Sequence, residues 1–554
     1  FDFYHEVKKE QKLDSYSLNF VSEKFLGDKK IDMPPKEMFK RFVEGDPKKL
    51  MEVAEYCIKD TTLPHRLLDK LCTLLNLIEM AKATWVPVSY LSERGQQIKV
   101  FSQMTRKARE LKFMVPTIRY GAIEFDGYEG ATVLEAHKGA YYTPITALDF
   151  EGLYPSIMMA HNLCYSSLVM DPKYDNIPGV TYESFEIGNN TYRFAQDVPS
   201  LLPEILSELK NFRKIAKKEM ANSVGDMKKV YNGKQLAYKI SMNSVYGFTG
   251  AGKGMLPCVP IAATVTAEGR HMIDQTKEYV EKNFPGSVVR YGDTDSVMVE
   301  FDVQGRTGED AIKYSWDLGV KAAEMCNGLF KNPKNLELEK VYCPYYLYSK
   351  KRYAAKLWTM GKDGNMQMDY IDIKGLQVVR RDNTLHTREV CKELIDILMN
   401  SNDPETAKEL ARSRALELLE GKVPMDKLVL SQTLADSYKS ENLSHVKVRN
   451  KMREREPGSE PQSGDRVPYI LVKTENNTTK AYEKAEDPKW AIANNIKPDY
   501  EYYLTNKFMN PICDLLEPIV ENPKVEIFEN ILPKKPSKRK TVQKTKIDSF
   551  FKPI

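Results

Sequence analysis

Apolar positions recur at helical spacing between residues 63 and 82, where Leu67, Leu68, Leu71, Leu74, Leu75 and Ile78 predict one helix. Pro87 follows and suits a helix exit. The stretches 143–150 and 287–301 are rich in β-branched and aromatic residues and read as strands. Two long helical patterns, 201–222 and 226–246, lie between them, separated only by Ser223-Val224-Gly225. A turn that short predicts antiparallel neighbours, the two sides of a helical hairpin. Residues 454–465 (EREPGSEPQSGD) form a polar loop pattern inside an otherwise mixed C-terminal third. No fixed-period repeat is visible.

A length of 554 residues suggests three or four domains at roughly 150 residues each. Charged residues at 29% and hydrophobic residues at 42% describe a globular chain, neither disordered nor fibrous. No apolar run approaches the ~18 residues of a membrane span, since the best stretch, 71–81, already contains Glu79. No membrane partner is expected. Without an initiator Met or a signal peptide, Phe1 reads as a truncation or processing point, and the chain is expected to be a fragment. Eight cysteines include no CxxC pair, which excludes a zinc ribbon and leaves reduced, mostly buried thiols.

Charge is unevenly placed. Residues 534–554 carry eight basic side chains against one acidic, a net of +7, so the formal +5 of the whole leaves −2 for residues 1–533. Overall basicity is therefore no argument for nucleic-acid binding by the body, where only local clustering counts. The Lys-rich tail reads as disordered when unbound.

Two segments put acids among apolar strand residues: Leu148-Asp149-Phe150-Glu151-Gly152-Leu153-Tyr154 and Tyr291-Gly292-Asp293-Thr294-Asp295-Ser296. Side chains alternate along a strand, so Asp293 and Asp295 share a face if the pleat is undistorted. Carboxylates beside apolar strands are costly, and divalent cations offset that cost. A polar hairpin tip is the competing reading of the second segment, at about even odds when it is taken alone.

The wider pattern decides. DFEGLYPSI (149–157), KISMNSVYG (239–247), YGDTDS (291–296) and KKRY (350–353) follow one another in an order that resembles the family B DNA polymerases. Within that family the similarity is to the delta-type catalytic subunits of eukaryotes and their relatives in large DNA viruses. It includes MMAHNLCYSSLV (158–169) and EPGSEPQSGDRVPY (456–469) and extends from about residue 2 to about 530.

The resemblance implies an α+β fold: a right-hand polymerase (palm, fingers, thumb) with a remnant of an RNase H-like 3′–5′ exonuclease domain. The implied divisions are 1–85 exonuclease, 86–120 linker or returning N-terminal segment, 121–200 palm, 201–250 fingers, 251–383 palm again, 384–533 thumb and 534–554 tail. The implied activity is template-directed DNA synthesis from dNTPs on a primer–template, in the nucleus or at a site of viral replication. Two Mg²⁺ ions ~3.5–4 Å apart suit such nucleotidyl transfer. By resemblance Asp149 and Asp295 bridge them, the Phe150 carbonyl joins the nucleotide-side metal, and Asp293 tunes the catalytic site.

For the nucleotide, the resemblance points to the backbone of Gly152 and Leu153, to Tyr154 as a gate against the 2′-hydroxyl, and to Arg213, Lys217, Lys239 and Asn243. Each of the last two pairs is four apart on its helix, hence on one face; Lys214 and Lys218 read as solvated surface. Gly152 stands where the family usually has Ser, which predicts a more flexible pocket floor. Gly247 reads both as a helix C-cap and as a place where a base pair approaches closely. Lys350, Lys351, Arg352 and Tyr353, with Thr294, match DNA-contacting positions; Lys374 and Arg380-Arg381 carry less weight.

Tyr56 and Asp60 resemble the third exonuclease motif, supported by KLDSYSLNFVSEKFLG (12–27). One carboxylate cannot hold two metals, so the fragment is not expected to proofread. In the tail, Ile547, Phe550 and Phe551 resemble the plug that docks on the sliding clamp PCNA, with Lys544 at the usual Gln position; a basic tether is the competing reading. A catalytically dead scaffold is the alternative for the whole. Loss of a carboxylate or of Lys239 would have favoured it, and all are present.

Overall fold

A computed structural model describes residues 2–116, 127–401, 403–458, 460–474 and 480–531. The chain divides into unit 1, Phe1–Arg381, and unit 2, Asp382–Ile554. Helix and sheet are mixed in both. Among the described residues no helix is long and apolar enough to cross a membrane.

Unit 1 opens with α1 (Phe3–Glu10), α2 (Leu18–Leu26), α3 (Pro35–Glu44), α4 (Pro47–Lys70), α5 (Thr73–Thr84), α6 (Val88–Glu93) and α7 (Gln97–Glu110). The single helix expected over 63–82 is two. Cys72 takes the left-handed conformation (φ 51°) and ends the first helix. The apolar period carries across the joint because Leu63 and Leu67 of α4 and Leu77 and Ala81 of α5 are each buried, whereas Leu74 is turned outward.

An antiparallel sheet follows, in the order β5-β6-β2-β7-β8-β9, with β1 also on β7. Its strands are β1 (Gly139–Tyr141), β2 (Ile145–Phe150), β5 (Val288–Asp293), β6 (Ser296–Glu300), β7 (Leu336–Ser349), β8 (Arg352–Met360) and β9 (Met366–Lys374); β3 (Tyr182–Ile187) and β4 (Asn190–Ala195) pair separately. Alternation along β2 gives the sheet two faces. Leu148 and Phe150 join a large core with α8 (Leu153–Ala160), α9 (Leu201–Ala221), α10 (Gly225–Gly250) and α11 (Val259–Asn283). Ile145 and Ala147 meet a second core dominated by Tyr291, Tyr342, Tyr345 and Tyr353. On the β2 edge of the first face, Thr146 bonds Ser315 of α12 (Gly308–Asn327) at 2.7 Å.

The expected strand over 287–301 is a hairpin. It turns through Thr294, at φ 61°, and Asp295 N–H donates to the Asp293 carbonyl at 2.7 Å. The undistorted pleat does not form, and the strand and hairpin-tip readings both hold. Gly292 lets the neighbours of this turn approach closely: a Cβ there would lie 2.8 Å from Leu134 Cδ1 and 3.1 Å from the Ser296 carbonyl oxygen.

The helical hairpin α9–α10 is buried mainly at its base, through Leu202, Ile205, Leu206 and Leu209 of α9 and Ser241, Val245 and Phe248 of α10. At its tip Val224 is 85% exposed. Helix α10 runs through Gly247 to Gly250 and ends at Ala251 in extended backbone, so Gly247 is not a C-cap.

Unit 2 contains α13 (Leu385–Asn400), α14 (Pro404–Leu419) and α15 (Ser444–Arg455), with a small sheet of β10 (Leu430–Thr433), β11 (Arg466–Leu471) and β12 (Ala485–Glu486). The tail expected to carry Ile547, Phe550 and Phe551 lies outside the described residues.

Candidate active site

Strand pairing brings the two acidic segments together. Asp149 lies opposite Ser296 in the β2–β6 register, and Phe150 N–H donates to the Asp295 carbonyl at 2.9 Å. Asp149 and Asp295 both line a cavity of about 850 Å³, together with Thr294 and the backbone segment Phe150–Tyr154. Burial and the facing Asp295 push the Asp149 carboxyl up to about 7. Burial also raises Asp295, helped by Asp293 and Glu339. Among the described residues no side-chain donor bonds either; the opposing influences are the charges of Lys340 and then Lys239 for Asp149, and a backbone N–H and then Lys239 for Asp295.

Such a pair of half-buried acids without a counter-ion is what a divalent cation stabilises. Among the described residues no group of three or more His, Cys, Asp or Glu side chains gathers to cage a metal. A cation held by Asp149 and Asp295 would take its remaining ligands from water and phosphate, a shell that suits Mg²⁺ better than Zn²⁺.

Asp293 is different. It does not line the cavity. Its two oxygens are bound by Lys351 Nζ at 2.7 and 2.9 Å, and Tyr291 donates to it at 3.4 Å. Lys351, expected as a DNA contact, is thus a counter-ion; it occupies a left-handed turn (φ 62°), and its N–H donates to Tyr291 at 2.7 Å. Lys350 is held by Glu135 at 2.6 Å and by the Val133 carbonyl. Tyr353 is 7% exposed inside the tyrosine core, so its ring is not offered to a ligand. Arg352 opens β8 opposite Ser349. In the weaker set, Lys374 binds Asp372, and Arg381 donates to the Leu13 carbonyl at 2.6 Å.

The cavity's far side is basic. Arg213 and Lys217 of α9 and Lys239 and Asn243 of α10 line it, as their four-residue spacing requires. Arg213 Nε is buried without a partner, an orphaned donor facing a site suited to anions. Lys210 and Lys214 line it too, Lys210 bridging Glu151 at 3.3 Å. Lys214 is therefore not merely solvated surface. Residues 210, 213, 214 and 217 follow the i, i+3, i+4, i+7 face of one helix, a signal legible in the sequence. Glu337 and Glu339 on β7 were not singled out either; they reach the cavity because β7 is β2's other neighbour.

Tyr154 forms the pocket's aromatic wall. Its ring lies 4.4 Å from that of Tyr246, whose hydroxyl meets Tyr128 at 3.0 Å, and it packs beside Gly269. Gly152 precedes α8 at φ +57°, a conformation that strains other residues, although a Cβ would have space. The glycine thus fits the turn's conformation. Leu153 is buried at the cavity's edge, its side chain in the large core. At Gly247 nothing lies within 4 Å of where a Cβ would stand, so that surface is open.

Tyr56 and Asp60 share a face of α4. Lys30 Nζ binds Asp60 at 2.6 Å and lies 4.9 Å above the Tyr56 ring. The other Asp60 oxygen is buried without a partner.

The model of DNA polymerase family B matches residues 86–519. A DNA polymerase of Paramecium bursaria Chlorella virus NY2A is 42% identical over 544 residues, covering 95% of this chain and 58% of the relative. The DNA polymerase delta catalytic subunit of Glycine max is 42% identical over 541 residues, and that of Caenorhabditis elegans 41% over 536. These cover 95% and 94% of this chain and 48% of each relative, so the chain spans about half the length of the curated relatives it matches.

Proposed function

The chain belongs to DNA polymerase family B, and from that premise we propose that it carries out template-directed DNA synthesis, transferring nucleotides from dNTPs to a primer 3′-hydroxyl. One observation carries the reading: an uncompensated carboxylate pair, Asp149 and Asp295, shares a cavity with the basic faces of α9 and α10. A polyanion bearing its own cations is complementary to both sides at once.

Two Mg²⁺ ions at Asp149 and Asp295, one also taking the Phe150 carbonyl, would activate the 3′-hydroxyl and offset charge on the leaving pyrophosphate. Arg213, Lys217 and Lys239 hold the triphosphate, with Lys210 and Lys214 adding to the field. Their cations lie where negative charge grows during transfer, so they count for more in the transition state than in the ground state. The backbone at Gly152 and Leu153 supplies further phosphate donors. The Tyr154 ring, fixed against Tyr246, leaves no room for a 2′-hydroxyl.

In this reading the large sheet is the palm, α9–α10 the fingers, unit 2 the thumb, and residues 1–85 the remnant of an exonuclease domain. DNA is gripped through phosphates, without sequence preference. The place of action is the nucleus or a site of viral replication. In the tail, Ile547, Phe550 and Phe551 are the residues that dock on a sliding clamp; replacing both phenylalanines with Ala should abolish clamp stimulation and spare basal synthesis, and equal stimulation would leave the tail a basic tether.

Primer extension by the purified chain, with Mg²⁺ and all four dNTPs, tests the main reading. Templated elongation is expected. Binding of primer–template without elongation would favour the non-catalytic scaffold.

A further inference from the structure

The cations of α9 and α10 can serve the carboxylates only if both helices stand at the right distance from β2, and the hairpin is held from its middle to its base rather than at its tip. Beyond Leu209, Ala216 is the only buried residue of α9, and residues 225–232 of α10 bury none. Further along α10, Gly233, Gln235 and Ala237 are buried, Gly233 against Asn76 of α5, so placement is decided by α5 at the middle and by what meets the base. At the base an open cleft of about 370 Å³ lies where α7 meets α9 and α10, bordered by Gln103, Lys107, Ile205, Leu209, Phe212 and Tyr238. Beside a cleft, shape constrains the helices on fewer sides than close packing would, and directional ties count for more.

Two polar ties cross this region, both from α7, the first buried and the second part-buried. Gln103, 6% exposed, donates from Nε2 to Ser241 Oγ at 2.8 Å, and the Ser241 and Gln103 oxygens lie 3.2 Å apart. Ser241 is 1% exposed and sits on α10 midway between Lys239 and Asn243. One turn further along α7, the Lys107 side chain is 9% exposed and binds Glu208 at 2.6 Å and Glu204 at 3.0 Å on α9, besides its own neighbour Glu110 at 3.5 Å. Glu208 precedes Arg213 by five residues, roughly 7.5 Å along the helix. One helix is thus tied to each arm of the hairpin, close to the residues that face the nucleotide.

We propose that α7 is a brace: through Gln103–Ser241 and Lys107–Glu204/Glu208 it sets how closely the triphosphate-binding side chains approach Asp149 and Asp295. Gln103 and Lys107 are positioning residues, since neither touches the cavity that holds those groups. This rests on the polymerase reading and adds to it a control of nucleotide affinity from outside the site. Directional polar ties specify one arrangement where apolar contacts would allow several, and a displacement of about 1 Å at a reacting centre can cost up to ~100-fold.

The test is single-nucleotide extension across a range of dNTP concentration, beside duplex affinity and thermal melting, for the parent chain, Lys107→Met, Lys107→Arg, Gln103→Leu and Ser241→Ala. The expected result is a KM for dNTP raised about tenfold in Lys107→Met and about fivefold in Gln103→Leu and Ser241→Ala, with kcat changed less than about threefold. Lys107→Arg, which keeps the charge, should stay within about twofold of the parent in KM, and duplex affinity should not move. A folded Lys107→Met or Ser241→Ala chain with the parent's KM overturns the brace, and so does a loss confined to kcat or to the melting temperature. Ser241→Ala removes a single hydroxyl and decides the Gln103 tie if Gln103→Leu does not fold. A parent that extends no primer overturns the polymerase reading and the brace together; a parent that extends while the variants match it removes the brace alone.

Discussion

Asp60 on α4 and Asp149 on β2 are both part-buried carboxylates of unit 1, yet the chain answers only the first with a cation of its own. Lys30 reaches Asp60 at 2.6 Å, and the carboxylate in turn raises the lysine's pKa. Asp149 has Asp295 for a neighbour instead, and burial and repulsion together raise its carboxyl to about 7. Asp293, two residues from Asp295, belongs with Asp60: Lys351 chelates it. The fold can therefore neutralise an acid when one of its lysines is in reach. Leaving Asp149 and Asp295 unanswered destabilises the metal-free protein, and the arrangement gains a purpose once a cation comes with the substrate.

Breaking the uncompensated site should have the largest effect. Asp149→Ala or Asp295→Ala is expected to lower primer extension by more than ~1000-fold with duplex affinity unchanged, because charge stabilisation of the transition state is lost. Extension within a few-fold of the parent, in a steady-state assay, would show that these carboxylates are not the centre.

Next in size is the wall beside that site. Tyr154→Ala should improve use of ribonucleotides relative to deoxynucleotides by about 100-fold, as removal of a steric block allows. Competition between dNTP and rNTP reads this directly, and an unchanged ratio would assign sugar choice elsewhere.

The electrostatic difference can be measured without catalysis. An acid whose carboxyl is raised in the fold stabilises that fold while protonated, so its contribution is complete below the ordinary carboxylate range and is lost as pH rises through about 7. Melting curves in chelator should therefore separate Asp149→Asn from the parent increasingly between pH 4 and 8. The variant should be the more stable by on the order of 2 kcal/mol at pH 8, a figure reduced for partial solvent screening. Saturating Mg²⁺ should shrink the gap by stabilising the parent. A gap that does not depend on pH would mean that Asp149 carries no such repulsion.

The smallest effect should come from the compensated acid. Asp60→Ala should leave extension within about twofold and cost roughly 1 kcal/mol, the scale of a part-exposed ion pair. It should also abolish no nuclease activity, because Lys30 already occupies the carboxylate. Mg²⁺-dependent excision of a mismatched 3′ end by the parent, absent in Asp60→Ala, would place Asp60 with Asp149 instead.

The sequence by itself determined what depends on neighbours along the chain. Helical spacing placed Arg213 with Lys217 and Lys239 with Asn243, a three-residue turn made α9 and α10 a hairpin, and β-rich flanks put Asp149 on a strand. The same period misled at Cys72, where two successive helices bury one side and only Leu71 and the left-handed Cys72 separate them. Whether an acid meets a cation was decided by tertiary structure. Asp293 and Lys351 are 58 residues apart and meet because β5 and the β7–β8 turn converge, whereas Asp295 faces Asp149 across β6–β2 pairing. Tyr353, expected by its motif as a DNA contact, packs in the core with the tyrosines of β7. Local periodicity fixes which side of an element a residue occupies; the charge of what lies opposite depends on long-range pairing, and therefore so does the energy of every carboxylate in the molecule.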